Sequence, residues 1–134
     1  MTNNIGIYCR CRNYDANTIK RNLSICERFL HDNYDDVEIL YYIDINRNSS
    51  SAYRPAFERL KEDIKKKKID LCVTSSISQI SRRSIDIYNL KDIILNNNKD
   101  FDIYCVKENC FLFKDLTFMF PLEIINNDNK NMEL

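Results

Sequence analysis

The sequence predicts a three-layer α/β fold, with a mostly parallel central sheet of about four strands flanked by helices. Two observations carry this. Runs rich in β-branched and aromatic residues alternate with stretches of helical periodicity three times within about 100 residues. The chain, 134 residues with 44% hydrophobic and 30% charged side chains, is long enough for one buried core and too apolar to be disordered.

Taken in order, residues 4–11 form the first strand, inside the stretch IGIYCRCRN. Strand alternation brings Arg10 and Arg12 out on one face at its carboxyl end. Residues 16–31 form a helix, with Ile19, Leu23, Cys26 and Leu30 on one side. Residues 37–43, VEILYYI, form the second strand. The polar loop DINRNSSSAY leads to Arg54 and Pro55, and proline in a first turn marks a helix over residues 55–67. That helix closes on Lys65, Lys66, Lys67 and Lys68, a charge run that suits the negative end of the helix dipole. A third strand over 69–75 precedes the polar stretch SISQISRRS. A helix over 84–97, with Ile87, Leu90, Ile94 and Leu95 as apolar positions, and a fourth strand over 101–106 complete the pattern. In open sheets of this kind ligands gather beyond the carboxyl ends of the strands. Arg10, Arg12, the loop after Ile43 and the stretch after Ser75 therefore surround one crevice.

Composition excludes several functions. Gly6 is the only glycine, so no Gly-rich loop can cradle a phosphate. The six cysteines form a single C-x-C at Cys9 and Cys11, and His31 is the lone histidine; without paired C-x-x-C or H-x-x-H spacings, neither a metal site nor a cofactor is expected. Cys9, Cys72 and Cys105 lie within strands and read as small buried hydrophobes. MTNNIGIYC is no secretory leader, which points to the cytoplasm and reduced thiols. Residues 1–84 hold 15 Lys and Arg against 11 Asp and Glu, a balance that fits an anionic partner and equally a solvated surface of mixed charge.

From Cys110 the chain reads CFLFKDLTFMFPLEIINNDNKNMEL. Lys114, Asp115 and Pro121 interrupt its apolar run, which is too short to cross a bilayer. Packing against the sheet edge is the simpler reading, and an oligomer or partner surface the other. The expected organisation is a domain over 1–108 followed by a divergent apolar tail over 109–134.

IYCRCR in the first strand, YID before a Ser-rich loop, RPAFERLKEDI, and IDLCVTSSISQISRRSID together resemble the catalytic domain of the serine recombinases, the resolvases and invertases. The resemblance spans residues 4–108, and its most specific part is RPAFERL with its distance to SRRS. It implies a resolvase-like fold and site-specific DNA recombination, in which a serine after the first strand attacks a phosphodiester and arginines stabilise the charge that develops on phosphate. Tyr8 and Arg10 match the family's Tyr-x-Arg-x-Ser pattern, but Arg12 stands at the nucleophile position. Arg54 matches the arginine that opens the second helix. In the motif Asp-Arg-Leu-Ser-Arg, Ser81 and Arg82 match and Ile80 is a mild change, whereas Ser78 replaces the acid and Gln79 the first arginine.

Other nucleophiles are poorly placed. Tyr14 and Thr18 are off the face of Arg10, and alternation turns Cys11 toward the helices. The resemblance therefore implies a catalytically inactive domain that at most binds DNA backbone phosphate through Arg10, Arg12, Arg54 and Arg82. No helix-turn-helix segment is expected in the tail over 109–134, and the partners implied are weakly bound DNA and a second copy or an intact recombinase. Two alternatives stand beside this: a protein-interaction or regulatory module acting through the apolar tail, and a recombinase subunit active only with a partner.

Overall fold

Why β1 (Asn3–Cys11) is a central strand follows from its alternation. Ile5 and Ile7 bury on one face, Gly6 and Tyr8 on the other, so both sides of the sheet need a cover. α1 (Ala16–Asn33) covers the first face. It starts at Asp15, whose carboxylate accepts the amides of Asn17 and Thr18 and the Thr18 hydroxyl, bonds that hold its pKa below the usual range. Cys26 and Leu30 bury beneath it while Ile19 and Leu23 are half-covered. The structure is a computed structural model and describes residues 3–12, 15–45 and 54–115.

β2 (Val37–Ile45) pairs with β1 in parallel, Arg10 opposite Asp44. α2 (Pro55–Lys65) then packs on the second face, burying Phe57, Leu60 and Ile64, each worth about 1.5–3 kcal/mol of hydrophobic burial. The sequence predicts this helix as far as residue 67. It ends sooner because Lys67 turns left-handed (φ 58°), and the Lys67 and Lys68 amides fold back onto the carbonyls of Ile64 and Asp63. Lysine thus occupies the left-handed position that glycine usually takes in such a cap.

β3 (Leu71–Thr74) joins β1 on its other side, followed by the short α3 (Ile77–Ile80) within the polar stretch SISQISRRS, and by α4 (Ser84–Asn97). In α4, Ile87, Leu90 and Ile94 are buried, but Leu95 is 52% exposed. It follows Ile94 by one position, a rotation of about 100° that carries it off the buried stripe. β4 (Ile103–Cys105) extends the parallel sheet.

Among the described residues the sheet has five strands, one more than expected, in the order β2-β1-β3-β4-β5. The addition, β5 (Cys110–Phe111), pairs antiparallel with β4 through a turn in which Asn109 adopts φ 53°. Three amides, those of Ile103, Phe113 and Lys114, converge on the Asp102 carboxylate and pin the chain there, with Leu112 and Phe113 buried. The start of the apolar tail is therefore an edge strand of the sheet, and residues 116–134 lie outside the described residues.

The sole glycine has a steric reason. A β-carbon on Gly6 would stand 2.9 Å from Cε2 of Tyr42, a buried ring whose hydroxyl donates to Asp63 (2.6 Å).

Candidate functional site

The carboxyl ends of β1, β2 and β3 lie side by side, as the register Arg10–Asp44 and Tyr8–Thr74 requires. Tyr8, on the α2 side of β1, is fully buried, and its hydroxyl is the hub of a polar network. It donates to Asp44 Oδ2 (2.7 Å) and accepts from Arg54 Nε (3.1 Å) and Nη2 (2.9 Å). Burial raises the phenol pKa, partly offset by the Arg54 charge. Asp44 does a second job. Its carboxylate also accepts the amides of Ala56 (2.8 Å) and Phe57 (3.0 Å), so it caps α2 from a neighbouring strand, where Arg54 at the cap position makes no such bond and Pro55 has no amide hydrogen.

Arg54 is 8% exposed, its guanidinium 4.0 Å from the centre of the Phe57 ring, and Nη2 also reaches the Gln79 carbonyl (3.2 Å). Gln79 closes the circuit: its side-chain oxygen accepts the Arg10 amide at 2.6 Å. Asp44, Tyr8, Arg54, Gln79 and Arg10 are thus one connected unit. Among the described residues no buried side-chain nitrogen or oxygen lacks a partner.

The remaining expected site residues lie around this unit. Arg10 is half-buried; Arg12, one residue beyond β1, is exposed. Arg82 is exposed and shares with Ser78, Ser81 and Ser84 a surface concavity of about 410 Å³. Arg54 instead opens onto a cleft of about 230 Å³ with Arg83. Ser78 is exposed on α3, its hydroxyl 3.3 Å from that of Ser76. Ser81 is committed to structure, donating to Asp86 (2.8 Å) and accepting the Arg83 amide (2.9 Å) at the start of α4.

Two features escaped the sequence reading. Asp44 enters the sequence reading only as the acid of YID and of the loop DINRNSSSAY, although an acid after a strand and ten residues before Arg54-Pro55 could have suggested a cap. Glu108, in the turn between β4 and β5, accepts from the Ser76 hydroxyl (2.9 Å) and the Ile77 amide (3.1 Å). It brings a carboxylate to α3, where Ser78 stands for the missing acid; no local motif signals it. Among the described residues no three His, Cys, Asp or Glu side chains converge as metal ligands, and no helix is long and apolar enough to cross a membrane.

A five-stranded, mostly parallel sheet flanked by helices matches the fold of serine-recombinase catalytic domains. The chain belongs to the resolvase family: the model of the resolvase N-terminal domain matches residues 5–120. A resolvase family site-specific recombinase from Streptococcus pneumoniae superposes with a TM-score of 0.75 at 20% identity, over 96% of this chain and 89% of that one. The N-terminal catalytic domain of TP901-1 integrase gives 0.74 at 22% identity, over 98% and 99%. The C-terminal catalytic domain of ISC1926 TnpA, an IS607-like serine recombinase, gives 0.63 at 13%, over 95% and 84%. At such identities the likeness establishes the fold. No curated protein matches by sequence.

Proposed function

We propose that this resolvase-family domain binds the DNA backbone without cutting it. The observation that carries the reading is Arg12, a guanidinium one residue past β1 at the position where the resemblance calls for the attacking serine. A guanidinium can hold a phosphate through a fork of hydrogen bonds, but it cannot become the covalent link to a DNA end. Arg10, Arg12 and Arg82 are the proposed contacts, with Arg54 behind them as a source of positive potential held by Tyr8 and Gln79. Ser78 and Gln79 leave the acid and one arginine of the motif unfilled, which removes proton transfer as well as the nucleophile. Residues 1–108 are the proposed DNA-binding unit, an accessory of a mobile element that works in the cytoplasm beside a second copy or an intact recombinase.

The test is titration of the protein with duplex DNA at about 50 and 200 mM salt, where each phosphate contact contributes nearly one unit of slope in log affinity against log salt. Binding at low salt that weakens steeply, and that weakens further in Arg12→Ala with Arg82→Ala, is expected. No binding at low salt would reject the proposal.

A second reading rests on a hollow of about 700 Å³ at the opposite, amino-terminal end of the strands, lined by Leu71, Leu95, Phe101, Phe111 and Phe113. Its apolar wall favours protein interaction through the region of the apolar tail. Light scattering combined with Leu95→Asp separates the two: self-association that this substitution in the hollow removes while DNA binding is unchanged supports the second role.

A further inference from the structure

The face of β1 opposite Tyr8 and Arg10 carries chemistry that the DNA-binding reading does not use. Cys9 and Cys11 point the same way, toward α1, and their sulfurs are 3.7 Å apart. Both are free thiols, 1% and 6% exposed. Burial, with Cys11 and Cys26 beside it, pushes the Cys9 thiol up to about 12, while an Asn22 side chain opposes that shift. Cys11 is the last residue of β1, next to exposed Arg12, so it meets solvent first when the strand end opens.

We infer that Cys9 and Cys11 form a reversible disulfide that shifts the end of β1 and, with it, Arg10 and Arg12. The co-reactant is a low-molecular-weight disulfide. The Cys11 thiolate attacks one of its sulfurs, breaking that S–S bond and releasing one small thiolate. Cys9 gives its proton to solvent and attacks the Cys11 sulfur, which forms the Cys9–Cys11 bond and releases the second small thiolate. The protein loses two electrons, and the small disulfide is reduced to two thiols.

Geometry makes this bridge a switch. Two residues of a parallel strand advance about 6.6 Å, at the long end of the Cα separations, up to about 6.8 Å, that a disulfide spans. The sulfurs must close from 3.7 Å to a bond of about 2.05 Å, so the strand end contracts around the residue between them. That residue is Arg10, whose amide is held by Gln79 at 2.6 Å. Contraction strains this bond and turns Arg10 and Arg12 away from their common side. The effect on DNA rests on the phosphate-binding reading; the bridge itself does not.

The experiment equilibrates the full chain in mixtures of reduced and oxidised glutathione, blocks thiols, and maps peptides by mass spectrometry. Expected is loss of two of the six thiols as a Cys9–Cys11 link. Reduced glutathione should reverse it, Cys9→Ser and Cys11→Ser should each abolish it, and Cys110→Ser should leave it intact. Cys9 and Cys11 persisting as thiols where half-buried Cys110 is already glutathionylated, or a link to Cys26, would overturn the inference. Oxidised protein should bind duplex DNA several-fold more weakly than reduced. A bridge with unchanged affinity refutes the coupling, whereas a bridge in a protein that never bound DNA refutes the phosphate-binding reading alone.

Discussion

Two parts of one site differ in kind. Behind the strand ends, Tyr8, Asp44 and Arg54 form a buried network with its polar atoms paired. At the rim, two positions that the family resemblance assigns to chemistry carry Arg12 and Ser78, while a third, Gln79, belongs to the inner unit through Arg54 and the Arg10 amide. The inner part is bound up with stability: the carboxylate that accepts the Tyr8 hydroxyl also caps α2. The rim carries no such duty, since Arg12, Ser78 and Arg82 are all exposed. On the proposed reading, the domain keeps the inner scaffold for folding and lacks the groups that act on phosphate.

Substitutions can break this contrast. Asp44→Ala should have the largest effect, lowering unfolding stability by about 3–5 kcal/mol, because it leaves three buried donors, the Tyr8 hydroxyl proton and the Ala56 and Phe57 amides, without their acceptor. A urea titration measures it, and a loss below about 1 kcal/mol would show that the network is not holding α2. Tyr8→Phe removes one hydroxyl and leaves Asp44 and Arg54 short of a partner, for an expected loss of about 1–3 kcal/mol in the same titration.

Rim substitutions should behave oppositely. Arg12→Ala and Arg82→Ala should each change stability by less than about 0.5 kcal/mol. Each should nevertheless weaken DNA binding and reduce the salt slope by about one, read by fluorescence anisotropy at several salt concentrations. The smallest effect serves as a control far from the site. Lys67→Gly relieves a left-handed lysine and should raise stability by about 0.5–1 kcal/mol, seen as a higher urea midpoint with unchanged DNA affinity.

What the sequence made legible follows the same division. The order of strands and helices is written in local periodicity, so β1 to β4 and the three long helices were readable within a few residues. β5 was not, because two residues carry no period and its pairing depends on a left-handed Asn109 and on three amides gathered by Asp102. The arginines were readable as motif positions. Their surroundings were not: Asp44 acts on amides 12 and 13 residues away, Gln79 reaches the Arg10 amide across 69 residues, and Glu108 meets Ser76 across 32. Such partners meet only when the sheet brings strand ends together.

The central claim is that this domain keeps the scaffold and lacks the reaction. Incubating the full chain with supercoiled and nicked DNA at low salt, quenching in detergent and resolving covalent protein–DNA adducts tests it most directly. The account predicts a salt-sensitive non-covalent complex before quenching and no adduct after it. An adduct formed by the unsubstituted protein would contradict the account.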